Sequence, residues 1–166
     1  MAINLHAYNF DRFDDLTFHF ITEAGDEYLC YFLSYADYFP SHPDIASIFF
    51  SFNLKLISND GKPFRKGSDK RIADTVISIV GDFLGSKSNA VVYVCDNSDG
   101  REKARSKKFL SWFDYYDHPS SKIVQVTSNF TVGGLFIYSS LLIHKDNKQF
   151  KDIVLAYIDL TKDDEK

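Results

Sequence analysis

The stretch Ala90-Val91-Val92-Tyr93-Val94-Cys95-Asp96-Asn97-Ser98-Asp99-Gly100-Arg101 decides the fold class. Its first six residues are apolar without a break, which suits a strand covered on both faces. Acidic and small residues then turn the chain. Asp99, with Glu102 three residues on, has the spacing of a capping box at a helix start. A doubly covered strand that feeds a helix belongs in a sheet with helices packed on it.

Upstream, Ser68 reads as the cap of an earlier helix. Ile72, Val76, Ile79, Val80 and Phe83 follow at helical spacing, with Gly85 just past the end. A meander of three strands precedes it. Leu16, Phe18 and Phe20 alternate onto one face, and Gly25-Asp26 makes a turn. Glu27 to Leu33 is apolar on both faces, as expected of a covered or central strand, and Tyr38 to Pro43 breaks it. Ile48, Phe50, Phe52, Leu54 and Leu56 then share a face, opposite Ser47, Ser51, Asn53 and Lys55, and Asn59-Asp60-Gly61 ends the strand.

Downstream, Phe109, Trp112, Phe113 and Tyr116 form the apolar side of the second helix. Residues 123–130 and 135–144 read as two strands joined at Val132-Gly133-Gly134. Asp146 is the expected cap of a third helix, whose buried stripe is Phe150, Ile153, Val154, Tyr157 and Ile158. The order βββ-α-β-α-ββ-α predicts one α+β domain over residues 1–161, built on a mixed, mainly antiparallel sheet. The acidic tail 162–166 is expected to fray.

Composition narrows the partners. The 166 residues suit a single domain, and a domain of this size buries about 70% of its unfolded surface without a disulfide or a metal. The net charge of −4 weighs against nucleic acid. Cys30 and Cys95 sit inside apolar runs without C-x-x-C spacing, so buried reduced thiols and a cytosolic location are expected. The N-terminus has no signal-peptide pattern, and no apolar run has membrane-helix length, so no membrane partner is expected.

Three segments are candidates for chemistry. Asp96 and Asp99 end a buried strand and offer hard oxygen ligands to a divalent cation. Their spacing fits neither a calcium loop nor the Asp-x-Asp of strand-end phosphotransferases. Loop ordering and helix capping are therefore expected of them, and no metal. Arg101, Arg105 and Lys108 line one side of the next helix, with Lys103 and Lys107 nearby, and offer a contact surface to an acidic partner. Arg65, Lys66, Gly67 and Ser68 lead into the first helix, where basic groups and backbone amides can cradle a phosphate. The histidines His6, His19, His42, His118 and His144 show no zinc-type spacing. No G-x-S-x-G elbow is present, no catalytic residue is assigned, and the sequence leaves open whether the chain is an enzyme.

Two resemblances follow from these residues. Tyr93-Val94-Cys95-Asp96-Asn97-Ser98-Asp99-Gly100-Arg101, continuing to Arg105, Phe109, Trp112 and Phe113, resembles the signature of a family of small uncharacterised bacterial proteins, mainly from Bacteroidota. The likeness extends from the Tyr28–Leu33 strand through the second helix, and Asp69, Arg71, Ile72 and Thr75 also fit it. The element order βββ-α-β-α-ββ looks like the later part of the GNAT acyltransferase fold, in which the helix after the meander binds the coenzyme A pyrophosphate at its N-terminus. That resemblance would give acetyl-CoA as cofactor and Arg65, Lys66, Gly67 and Ser68 as its contacts, without the family's usual R/Q-x-x-G-x-G/A pattern. The residues themselves favour a non-catalytic module that binds another protein, with no cofactor, and the bacterial context that the first resemblance implies suggests a defence or toxin–antitoxin system. The alternative is a GNAT-like N-acyltransferase or a degenerate relative of one.

Overall fold

The computed structural model describes residues 6–61, 69–95, 100–115 and 122–162. The chain is α+β, with a mixed, mostly antiparallel seven-stranded sheet and three helices. The strands are β1 (Phe10–Asp14), β2 (Thr17–Ile21), β3 (Glu27–Ser34), β4 (Phe49–Ser58), β5 (Ala90–Val94), β6 (Ile123–Thr127), β7 (Phe130–Val132), β8 (Leu135–Ile137) and β9 (Ser139–His144). The helices are α1 (Lys70–Leu84), α2 (Glu102–Tyr115) and α3 (Phe150–Leu160). The main sheet runs β1-β2-β3-β4-β5-β9-β6, while β7 and β8 pair with each other as a separate hairpin.

Every neighbouring pair in the main sheet is antiparallel except β4 and β5, which the α1 crossover makes parallel. The two sheet faces have separate cores. On one, Val76, Ile79, Val80 and Leu84 of α1 and Phe109 of α2 pack against Phe18, Phe20, Phe32, Phe52, Val91 and Leu142. Aromatic stacking ties this core together, as in Phe32 on Phe83 at 3.9 Å between centroids. On the other face, Ile153, Ala156 and Tyr157 of α3 cover Ala90, Val92, Leu141 and Ile143. Phe39 closes the same core from the preceding loop, stacked on Phe49 at 3.7 Å.

The expected strand at the quoted stretch is present: Ala90, Val91 and Val92 are fully buried between the two cores. Other expectations need correction. A first strand, β1, precedes the expected meander and pairs only with β2. β3 is central, as expected, paired with β2 and β4, and its covering is uneven, with Cys30 and Phe32 buried on the α1 side and Leu33 on the other face 53% exposed. Asp69, not Ser68, caps α1, because its side chain accepts the Arg71 amide at 2.9 Å. Asp146 does not cap α3. The helix begins later, at Phe150, after Asn147 Oδ1 takes the Gln149 amide, and the Asp146 amide donates to His144 Nδ1. Ile158 lies outside the buried stripe of α3, and Ala156 lies in it. The expected caps Ser68 and Asp99, together with Tyr116, lie outside the described residues.

Candidate functional site

The parallel pair is short. β4 and β5 match only at Phe49 with Ala90, Phe50 with Val91 and Ser51 with Val92. Beyond that point β4 stays with β3 as far as Ser58, and β5 stays with β9 as far as Val94. The two strands therefore part at their C-terminal ends. Among the described residues, no strand pairs with the β5 side of Phe52–Ser58, so β4 presents an inner edge to the opening. Openings at the carboxyl ends of parallel strands are where α/β sheets receive ligands.

Aromatic rings pack beneath the parted strands on the α1–α2 side, with Phe52 and Phe109 buried in the core and Tyr93 and Trp112 half-buried. Tyr93 stacks on Phe109 at 3.7 Å, and Phe52 lies 6.0 Å from each of them. Trp112 sits 6.2 Å from Phe109. Beside the rings, the Tyr93 hydroxyl, the Cys95 thiol and the Ser106 hydroxyl lie close enough to act on one another electrostatically. Burial, and after it the neighbouring Cys95, holds the Tyr93 hydroxyl well above its usual range, with the Arg105 charge pulling the other way. Burial likewise pushes the Cys95 thiol up, against the nearby hydroxyls of Tyr93 and Ser106 and the charge of Arg105. Both groups are therefore neutral at pH 7, and Cys95 is not poised as a thiolate nucleophile. Glu102 Oε2, in the first turn of α2, is buried and has no hydrogen-bond partner among the described residues.

The start of α1 is firmly held. The Tyr8 hydroxyl donates to Asp69 Oδ2 at 2.5 Å, and the Arg71 guanidinium lies 3.8 Å over the Tyr8 ring. Arg71 Nε also donates to the His6 carbonyl at 3.0 Å. Two further bonds seat the incoming chain on the helix: the His6 amide to Asp74 Oδ2 and the Tyr8 amide to Thr75 Oγ1. Asp69 thus occupies one of the helix's orphan amides with its own carboxylate.

The basic face of α2 divides into two parts. Arg101 and Lys108 are exposed, and Lys108 Nζ lies 5.8 Å from the Trp112 ring centroid. Arg105 is half-buried and turned inward, close enough for its charge to act on Tyr93 and Cys95. Lys103 and Lys107 are exposed. The candidate metal residues Asp96 and Asp99 and the candidate phosphate contacts Arg65, Lys66, Gly67 and Ser68 lie outside the described residues. Among the described residues, no three His, Cys, Asp or Glu side chains converge as metal ligands.

Three of the described histidines have side-chain contacts away from this opening, and the His144 ring accepts the Asp146 amide. His42 bonds Asp159 at 3.1 Å, and His19 lies 3.7 Å from Glu27. Two residues of the site were not singled out from sequence, Tyr93 and Ser106. Each carried a weak signal: Tyr93 is the one hydroxyl-bearing residue in its apolar run, and Ser106 stands three positions from Phe109 on the same helix face.

No helix among the described residues is long and apolar enough to cross a membrane. Searches of the curated proteins and of the solved structures find no match. A family model does match, over residues 68–159, from the lead-in to α1 through α3. The match begins later than the Tyr28–Leu33 strand and runs on past the second helix. It covers more than half of the chain, which therefore belongs to a family of unknown function, DUF6169.

Proposed function

We propose that the opening between β4 and β5 binds the extended arm of a coenzyme A thioester, as in a GNAT-like N-acyltransferase or a relative that has kept the cleft without the chemistry. The observation that carries this reading is the parting of the one parallel pair after three matched residues. An unpaired inner edge of β4 can hydrogen-bond an extended, amide-bearing chain as a strand would. The half-buried rings of Tyr93 and Trp112, backed by Phe52 and Phe109 in the core, offer that chain an apolar bed. The pyrophosphate would lie before α1, on Arg65, Lys66, Gly67 and Ser68, because Asp69 already takes the Arg71 amide.

Calorimetric titration with acetyl-CoA tests this reading. Saturable heat at sub-millimolar ligand is expected, and Arg65→Ala with Lys66→Ala should weaken it at least tenfold. Absence of heat at millimolar acetyl-CoA would refute it. Turnover is a separate readout: release of free thiol with an added amine distinguishes an enzyme from a binding relative.

A second reading is a non-catalytic module that docks an acidic protein on α2. Its support is the exposure of Arg101, just before α2, and of Lys103, Lys107 and Lys108 on it. With a partner from the native host in hand, Arg101→Glu plus Lys108→Glu should abolish binding. Full-strength binding by that variant would remove α2 as the contact.

A further inference from the structure

The far edge of the main sheet carries a second unused surface. β6 pairs with β9 on one side, and no described strand pairs with the other. The Lys145 amide donates to the Lys122 carbonyl, and the Ser128 amide to the Ser139 carbonyl. Antiparallel alternation then turns the even-numbered backbone groups of β6 toward β9 and those of Ile123, Gln125 and Thr127 outward. Exposed edges are normally blunted by lysine, proline or a bulge. β6 has none of these: its sequence is Ile-Val-Gln-Val-Thr, in unbroken register with β9.

The segment after β6 is equally unguarded. The β7–β8 hairpin turns on Gly133 and Gly134, both at positive φ, and among the described strands β7 and β8 pair with each other alone. Val132, Leu135 and Phe136 on it are 59%, 58% and 50% exposed. From Ile123 to His144 there is no Asp, Glu, Lys or Arg, the longest such run in a chain that is 25% charged.

We propose that two copies of this chain pair β6 to β6, antiparallel about a two-fold axis centred on Gln125, with each β7–β8 hairpin laid beside the start of the second copy's β6. Charge selects this occupant. A copy carries the same net −4, so the two meet with least repulsion where neither bears a charge. Geometry selects it too, since a strand pairs with its own copy only in antiparallel, isologous fashion. Ile123 then faces Thr127, and Gln125 faces Gln125, making about six backbone hydrogen bonds. A five-residue edge alone falls short of the roughly 800 Å² per partner of a stable interface. The apolar hairpin side chains supply the remainder. The inference is independent of any ligand between β4 and β5.

The test is sedimentation of the full chain from micromolar to several hundred micromolar, with its mass compared with twice 19.1 kDa. A dimer is expected. Gln125→Pro removes an amide that points away from β9, where proline is tolerated in an edge strand, and should raise the dimer Kd at least tenfold. Leu135→Lys with Phe136→Lys changes only half-exposed side chains, keeps the fold, and should do the same. Leu155→Lys on α3, at a position 53% exposed, should leave the dimer intact. A wild-type monomer at several hundred micromolar would overturn the proposal, as would a dimer that survives both the proline and the double-lysine variants.

Discussion

Asp69 and Tyr8 hold the N-terminal segment against the start of α1, and the strength of that hold can be predicted from the structure. Asp69→Ala removes two interactions. One is the N-cap bond to the Arg71 amide at 2.9 Å, and loss of such a cap costs about 1 kcal/mol. The other is the bond from the Tyr8 hydroxyl to a carboxylate, of a kind worth roughly 1.5–3 kcal/mol, made by a residue only 7% exposed. The two share one side chain, so the sum is an upper guide, and a loss of about 2–4 kcal/mol is expected. For a domain of this length that lowers Tm by about 5–12 °C. Tyr8→Phe should lose the second bond alone, because the ring keeps its stacking on Phe20 and its contact with the Arg71 guanidinium. In a double-mutant cycle by urea unfolding, Asp69→Ala and Tyr8→Phe should couple by about 1–2 kcal/mol. Strictly additive losses would show that the hydroxyl and the carboxylate do not act as a pair, and the reasoning about how α1 is anchored would fail.

Two further outcomes follow from burial. Cys30 and Cys95 are both buried, with thiols pushed up chiefly by burial, so an aromatic disulfide reagent should label neither in the native protein and both in guanidinium; rapid native labelling of either thiol would contradict its placement. His144 is 4% exposed and its Nδ1 accepts the Asp146 amide. Burial depresses its pKa, Asp146 opposes that, and Lys87, Lys122 and Lys145 add to it. The folded state therefore binds fewer protons than the unfolded state. Stability should be complete above the unfolded pKa of 6.5 and fall as pH drops through 6 and 5, by at most about 1.4 kcal/mol per pH unit from this group. Urea midpoints across that range should show the slope in the wild type and a flatter one in His144→Gln; equal slopes would reject His144 as the source.

The parts of the fold that were legible in the sequence are those in which burial writes a local pattern. The run Ala90–Cys95, the alternation of Phe50, Phe52 and Leu54, and the helical stripe of Ile72, Val76, Ile79 and Val80 each record which side faces a core. The hairpin at Gly133-Gly134 was legible because both residues take positive φ, which glycine adopts without strain. β1 left no such record. As an outer strand it is exposed along nearly its whole length, and its Phe-Asp-Arg-Phe-Asp sequence alternates in no useful way. β3 was legible as a central strand, though its apolar residues on the second face, Leu29, Tyr31 and Leu33, are only half-buried or exposed. The start of α3 shifted because Asp146 and Asn147 spend their bonds on a turn around His144 before the helix begins. The site was the least legible of all. Tyr93 and Cys95 meet Ser106 only because α2 folds back onto the sheet, and the parting of β4 from β5 is a matter of tertiary register that no periodicity encodes.

That parting has a mechanical cause, and the cause bears on what the opening can do. β1 to β4 form one antiparallel ribbon, and β5, β9 and β6 form another. Each ribbon keeps its own twist, and only three matched residues join them through backbone. What binds the ribbons beyond that seam is side chains: Phe52 of one and Tyr93 of the other meet at 6.0 Å, and Phe109 of α2 packs against both. The aromatic trio is therefore the tie across the parting, set in the core of the α1–α2 face. A ligand arm entering between the strands would lie on a surface already fixed by the core, with α1 and α2 packed on the same face. This is why the quoted stretch matters beyond its role as a strand: Val91 and Val92 are the end of the seam, and Tyr93 is the first residue past it.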